Sequence, residues 1–214
     1  MKITETYIKG VLILEPQLYE DERGYFFESF SEREFAMRMM SVDVVSSIGM
    51  AGSMGDALMA GCAGNGIAYG AHFVQDNEAW SRRGVVRGLH YQLPPYAQAK
   101  LVRVVQGRVV DVAVDLRRGS LTFGCHVAVE LSDANHRQLY IPRGCAHGYA
   151  VLGDEALLLY KCDDFYAPEC DAGVRFDDPA LAIDWARWGI DPATAIISER
   201  DRALPLLTDA QVFE

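Results

Sequence analysis

The sequence has little that would tie it to a membrane. Its longest apolar runs, such as residues 11–14 and 156–160, are only a few residues long, whereas a membrane-spanning helix needs about 20. The first residues, Met1 to Glu5, contain none of the roughly 7–15 consecutive apolar residues of a signal peptide. We therefore expect neither a membrane span nor a cleaved leader.

The sequence also lacks CxxC pairs and an excess of positive charge. The five cysteines are odd in number and show no CxxC spacing, which favours a reduced, cytoplasmic setting over a disulfide scaffold. The net charge of −10 argues against general binding to nucleic acid or to anionic membrane surfaces, because both are polyanions. Against this background a local basic cluster indicates either a solvated face or an anion site: Arg82, Arg83, Arg87, Lys100 and Arg103.

Short apolar segments rich in β-branched residues and separated by turn residues dominate the chain. They predict an all-β sandwich or barrel with few helices. Gly107 and the pair Gly153 and Asp154 are predicted breaks between strands. The predicted strands are residues 11–16, 25–30, 73–77, 85–92, 101–106, 108–116, 125–131, 138–142, 148–152 and 156–162.

Helices are expected only at the periphery of a single domain spanning residues 1–214. Ser31 and Glu34 form a capping-box pattern that predicts a short helix ending near Met39, and the tail from Asp178 should hold a helical turn or two. Residues 40–71 are rich in Gly, Ala, Ser and Met and read as an insertion, either a tolerated loop or a substrate lid.

Three residues suggest proton-transfer chemistry. His90 lies in a strand-like segment and suits proton abstraction, although a lone histidine is often a core residue. Lys100 opens the next strand, where its cation could stabilise an enolate or simply face solvent. Tyr160 ends an apolar run; its phenol could return a proton to the opposite face of a substrate, or pack in the core. Inversion of a carbon centre requires two such groups.

The spacing of one motif resembles the metal site of cupins, but its residue types do not. Gly84, five intervening residues and His90 match the first half, and the segment from Pro142 to His147 matches the second. Gln92 replaces the second histidine, and Lys100 stands where the carboxylate ligand should be. A cation inside a divalent-metal cage is unfavourable, and catalytic metals usually have about three protein ligands. The motif predicts a cupin-type barrel without a metal, and proton transfer alone would require no other cofactor.

An ordered set of segments resembles the dTDP-4-dehydrorhamnose 3,5-epimerase family and covers nearly the whole chain outside 40–71. This resemblance implies a jelly-roll barrel, a homodimer exchanging N-terminal strands, and a dTDP-linked 4-keto-6-deoxy sugar as substrate, inverted at carbons 3 and 5. The matching segments are residues 11–16, 21–29, 73–77, 86–92, 100–103, 111–115, 138–142, 146–148 and 159–161.

The resemblance also assigns roles to individual residues. It makes His90 the base, Tyr160 the acid, Lys100 the enolate-stabilising cation and Asp201 the carboxylate that orients the base. Asp171 and Arg200 depart from the Glu and Lys that are usual in the family. The substrate-binding residues that it implies are Arg23, Glu28, Gln75, Asp76, Asn77, Arg87, His147, Tyr166, which would stack on thymine, Asp171 and Arg200.

Three other functions are compatible with the sequence. A single-site epimerase acting at carbon 3 or 5 of a related sugar nucleotide would use the same His90, Lys100 and Tyr160. A metal-dependent cupin oxygenase or isomerase would bind metal through His90 and His147. A non-catalytic sugar-binding cupin would have no need for a base and an acid together.

Overall fold

The computed structural model describes residues 1–47 and 72–214. The chain divides into two compact units, one formed by Met1–Pro16 with Phe73–Glu214 and the other by Gln17–His72. Of the predicted insertion 40–71, the described residues include only 40–47, which are helical; the remainder lies outside the described part.

The described residues contain eleven strands and two α-helices. The smaller unit contains the hairpin of β3 and β4 and the helix α1; all other elements belong to the larger unit. The strands are β1 (Lys2–Glu5), β2 (Leu12–Glu15), β3 (Tyr19–Asp21), β4 (Gly24–Phe26), β5 (Gln75–Arg82), β6 (Val86–Gln92), β7 (Lys100–Asp115), β8 (His126–Ser132), β9 (Gln138–Ile141), β10 (Cys145–Cys162) and β11 (Asp171–Gly173), and the helices are α1 (Glu32–Ser47) and α2 (Glu199–Arg202).

Two long strands, β7 and β10, organise the larger unit. They pair with each other along most of their length, and each changes its second partner midway. The first part of β7 pairs with β9 and its last part with β8, while the last part of β10 pairs with β5 and its first part with β6. The result is two antiparallel layers, β1-β2-β9-β7-β10-β5 and β8-β7-β10-β6-β11. The predicted all-β, cupin-type jelly roll is confirmed.

The prediction that Gly107 and Gly153 end strands was wrong. Both β7 and β10 continue through these points, and their pairing shifts register between Val151 and Ala156. Gly107 has a φ of 80°, and a side chain there would collide with the carbonyl oxygen of Glu155. Glycine here permits an irregularity within a continuous ladder and not the end of a strand.

Successive side chains of β7 point to opposite faces and so contribute to two hydrophobic cores. Val109 and Ala113 face the interior between the layers, where they join Leu158. Val110 and Val112 face outward and are covered by the C-terminal segment. That segment contains short 3₁₀ turns at Pro179–Leu181 and Ala186–Trp188, in line with the mixed tail predicted from the sequence.

The predicted start of α1 is confirmed, with Ser31 as its N-cap. The Ser31 hydroxyl accepts a hydrogen bond from the backbone N–H of Glu34 at 3.3 Å. The helix runs to Ser47, farther than the predicted end near Met39. None of the helices in the described ranges is long and apolar enough to cross a membrane.

We expect Gly88→Ala to destabilise the fold strongly. Gly88 has a φ of 115°, and a Cβ there would lie 2.6 Å from Gly148 Cα and 2.8 Å from the His147 carbonyl oxygen. Backbone strain and the collision of β6 with β10 should together cost about 2–5 kcal/mol. Gly119→Ala is the control, because its Cβ would enter open space. Urea denaturation should show a clear loss for the first variant only; equal midpoints would refute the argument.

Candidate active site

A pocket of about 320 Å³ opens between the two layers of the larger unit. The layer that contains β5 contributes side chains from β5 and from the paired ends of β7 and β10. The layer that contains β6 contributes side chains from β6 and β11, next to α2. The pocket is lined by Gln75, Asn77, His90, Tyr91, Gln92, Gln98, Lys100, Tyr160, Cys162, Tyr166, Asp171 and Arg200.

His90 is anchored by a buried carboxylate. Its Nε2 lies 2.7 Å from Oδ1 of Asp201, whose Oδ2 accepts a hydrogen bond from the backbone N–H of Gly88 at 3.2 Å. Burial is the largest single effect on Asp201 and opposes its ionisation. The hydrogen bonds from His90, Gly88 and Ser198, together with the charge interaction with His90, outweigh burial and hold the pKa of Asp201 below its usual value. With Nε2 fixed in this way, Nδ1 is the ring nitrogen left for proton transfer.

Lys100 and Tyr160 lie side by side on the neighbouring layer. Lys100 pairs with Cys162 and Val102 pairs with Tyr160, so the two side chains share one face of the β7–β10 ladder. The Lys100 Nζ lies 5.9 Å from the centre of the Tyr160 ring. Burial lowers the pKa of Lys100 and raises the pKa of Tyr160. The phenol therefore keeps its proton at neutral pH and can donate it.

The rim of the pocket holds a linked group of polar side chains. The Tyr166 hydroxyl donates to Oδ2 of Asp171 at 2.8 Å, and Arg200 forms an ion pair with the same carboxylate. The hydrogen bond to Asp171 raises the pKa of Tyr166. Gln75 accepts a hydrogen bond from the backbone N–H of Tyr166 at 3.0 Å and donates to Asn77 at 2.9 Å.

Comparisons with known proteins identify the family of the chain. The family model described as dTDP-4-dehydrorhamnose 3,5-epimerase matches residues 5–53 and 62–209. The chain is 43% identical over 213 residues to the dTDP-4-dehydrorhamnose 3,5-epimerase of Shigella flexneri, covering 100% of this chain and 99% of the relative. The chain belongs to the dTDP-4-dehydrorhamnose 3,5-epimerase family.

Solved structures of this epimerase family superpose on the chain. The crystal structure of dTDP-4-dehydrorhamnose 3,5-epimerase from Elizabethkingia anophelis NUHP1 has a TM-score of 0.78 and 43% identity, covering 98% of this chain and 97% of that one. The dTDP-6-deoxy-D-glucose-3,5-epimerase from Legionella pneumophila Philadelphia 1, in complex with dTDP-4-keto-L-rhamnose, has a TM-score of 0.77 and 39% identity, covering 97% and 93%.

Within this epimerase fold, most of the residues predicted for the site meet at one pocket. His90, Lys100 and Tyr160 all line it, and Asp201 holds His90 from behind. Five of the predicted binding residues line it as well: Gln75, Asn77, Tyr166, Asp171 and Arg200.

Three other predicted binding residues do not line this pocket. Asp76 alternates to the opposite face of β5 from Gln75 and Asn77, where its exposed carboxylate binds Lys161 at 2.8 Å. Arg87 is exposed and donates to the Ser81 hydroxyl at 3.0 Å. His147 is buried behind Tyr160, with ring centres 6.4 Å apart.

Arg23 and Glu28 belong to the smaller unit. Both are exposed, and Arg23 forms a bidentate ion pair with Asp21 across the turn of the hairpin. Their predicted role concerns a neighbouring subunit, so it stays a prediction.

The sequence-based assignment missed Asp111 and Gln98. Asp111 is fully buried, and both of its carboxylate oxygens lie within 3.0 Å of His147 Nε2. A carboxylate among valines on a strand that is apolar on both faces is itself a signal, because burial of an unpaired charge is unfavourable. Gln98 lines the pocket and binds the Asp164 carbonyl oxygen; nothing near it in sequence indicates this.

The residue types around the pocket do not form a metal cage. Gln92 and Lys100 line it at the two positions where the cupin motif would place ligands. Throughout residues 1–47 and 72–214, no three His, Cys, Asp or Glu side chains are grouped so that they could hold a metal ion. Metal analysis of the purified protein is the direct check: stoichiometric iron, manganese or zinc would contradict a metal-free site.

Proposed function

We propose that the chain catalyses 3,5-epimerisation of dTDP-4-dehydro-6-deoxy-D-glucose to dTDP-4-dehydro-L-rhamnose. The observation that carries the proposal is the meeting of His90, anchored by Asp201, with Tyr160 and Lys100 at one pocket. The two proton-transfer groups come from different layers of the barrel. A ring bound between them therefore presents one face to an imidazole and the other to a phenol.

The reaction has two proton transfers at each carbon. His90 Nδ1 takes the proton from the carbon next to the ketone, and the electron pair of the broken C–H bond moves onto the ketone oxygen. Lys100 stabilises the resulting enolate oxygen by its positive charge. Tyr160 then gives its proton to the opposite face of the same carbon, and exchange with solvent restores both groups for the second centre.

Solvent deuterium exchange tests this function. Incubation with dTDP-4-dehydro-6-deoxy-D-glucose in D₂O should give a product with deuterium at carbons 3 and 5 and both centres inverted, as read by NMR. Deuterium and inversion at one carbon only would identify a single-site epimerase with the same three residues. Absence of any exchange would overturn the proposal and favour a binding protein.

The hairpin of the smaller unit supports a homodimer. Three of its aromatic side chains are more than half exposed: Tyr19 at 64%, Tyr25 at 55% and Phe26 at 69%. A two-stranded hairpin is marginal by itself in water, and exposed aromatic clusters usually mark interfaces. We therefore infer that this hairpin packs on a second copy of the chain, where Arg23 and Glu28 could reach the partner's pocket.

Replacement of the aromatic side chains should separate the subunits. Light scattering coupled to gel filtration should give a dimer mass for the native chain and a monomer mass for the combined variant Tyr25→Ser and Phe26→Ser, because about 25 cal/mol per Å² of apolar burial is lost. An unchanged dimer would contradict this interface.

We also propose a cytoplasmic location. The thiols of Cys125, Cys145, Cys162 and Cys170 are all free, as expected in a reducing compartment.

A further inference from the structure

Gln92 is a buried pocket residue that the proposed chemistry does not use. It follows His90 by two positions on β6, and 3% of its surface is exposed. Its side-chain amide makes three hydrogen bonds: Nε2 donates to the carbonyl oxygens of Tyr96 at 2.7 Å and Phe165 at 3.1 Å, and Oε1 accepts from the backbone N–H of Ala167 at 2.7 Å. Two of these bonds bracket Tyr166 in the chain.

The segment 163–167 is held by further side chains that line the same pocket. Gln98 Nε2 donates to the Asp164 carbonyl oxygen at 2.7 Å, and Gln75 Oε1 accepts from the Tyr166 N–H at 3.0 Å. The phenol end of Tyr166 is fixed separately by Asp171. Gln92 therefore binds the backbone on both sides of Tyr166, while Tyr166 as a residue is 52% exposed and open to a ligand.

We propose that Gln92 is a positioning residue for the nucleotide base and acts through Tyr166; this rests on the proposed function. An aromatic platform binds a base well only when it is already in place, because ordering a loop during binding reduces affinity. An amide suits this task since it donates twice and accepts at once. A histidine, which the metal-binding motif would place here, has only two ring nitrogens and could not make all three bonds.

Gln92→Met tests the proposal, because methionine keeps the size of the side chain and removes its donors and acceptor. We expect the Kd for dTDP, measured by calorimetry, and the KM for the sugar nucleotide to rise about tenfold. At saturating substrate, kcat should stay within about threefold of the native value, because the reacting groups are untouched. The matched control is Gln106→Met on the exposed surface of β7, which should change neither constant.

A double variant shows whether Gln92 acts through Tyr166. Tyr166→Ala alone should weaken dTDP binding, and adding Gln92→Met should weaken it no further. If Gln92 acts only through Tyr166, the effects of the two substitutions on the binding free energy are not additive. Additive losses would overturn the proposal, as would native affinity in Gln92→Met or a fall in kcat with unchanged KM.

Two further results keep the outcomes distinct. If Gln92→Met does not fold, Gln98→Met replaces it, because this change removes one hydrogen bond to the same segment. Gln98→Met should raise the Kd for dTDP about threefold. An unchanged Kd would then refute the positioning role. If the native protein fails to bind dTDP at all, the proposed function itself fails. Native dTDP binding with normal binding in both variants refutes only the role of Gln92.

Discussion

His90→Ala should lower the epimerisation rate by about 10²–10⁴-fold, the usual contribution of a general base. Deuterium exchange at both carbons should fall by the same factor, because proton removal precedes every later step. The Kd for dTDP should change little, since the imidazole lies among the reacting groups and not at the rim. Rates of product formation and deuterium uptake, measured together by NMR, are the readout.

Two comparison variants make this result specific. His126→Ala removes a histidine on β8 whose Nδ1 lies 2.9 Å from the Leu181 carbonyl oxygen, outside the pocket, and should keep native turnover. Asp201→Asn should lose less than His90→Ala, because the base remains and only its anchor is weakened. Near-native turnover of His90→Ala would show that another group takes the proton.

Tyr160→Phe should separate proton removal from inversion. His90 and Lys100 remain, so the carbon next to the ketone should still lose its proton and take up deuterium from solvent. Without a phenol on the opposite face, inversion should fall by about 10²-fold or more. The expected product in D₂O is therefore labelled substrate of unchanged configuration, distinguishable by NMR coupling constants from the inverted sugar.

Tyr149→Phe is the matched control for this experiment. Tyr149 lies on the same strand and is buried, but its hydroxyl is 3.0 Å from that of Ser81 and does not line the pocket. Its loss should leave the ratio of exchange to inversion unchanged. Normal inversion of both centres by Tyr160→Phe would mean that a different group supplies the proton.

The sequence was informative where local signals set the structure. Short apolar runs separated by turn residues predicted most strands, and Ser31 with Glu34 predicted the start of α1, since both signals depend on near neighbours. The same signals failed at Gly107, because a glycine that ends a strand and one that permits a bulge look alike. The partner that decides between them, Glu155, lies far along the chain.

The site residues also differ in whether a local sequence signal marks them. His90, Lys100 and Tyr160 could be predicted because their residue types carry the chemistry and the family resemblance supplied their context. Gln92 was noticed only as a missing metal ligand. Its hydrogen bonds reach Phe165 and Ala167, more than 70 positions away, and no periodicity or local motif encodes such a pairing. Asp111 differs, because its place among valines was a local signal of burial; only its partner His147, on another strand, could not be predicted.

The passage of β7 and β10 from one layer to the other has a mechanical consequence. Lys100 and Tyr160 lie at one end of this continuous pair, and β6 with His90 is hydrogen-bonded to the other end. Sliding of one layer over the other would break the ladder that both share, so we expect the spacing between imidazole, ammonium and phenol to stay fixed during turnover. Exchange of product for fresh substrate must then occur by adjustment at the perimeter of the barrel, with its interior unchanged.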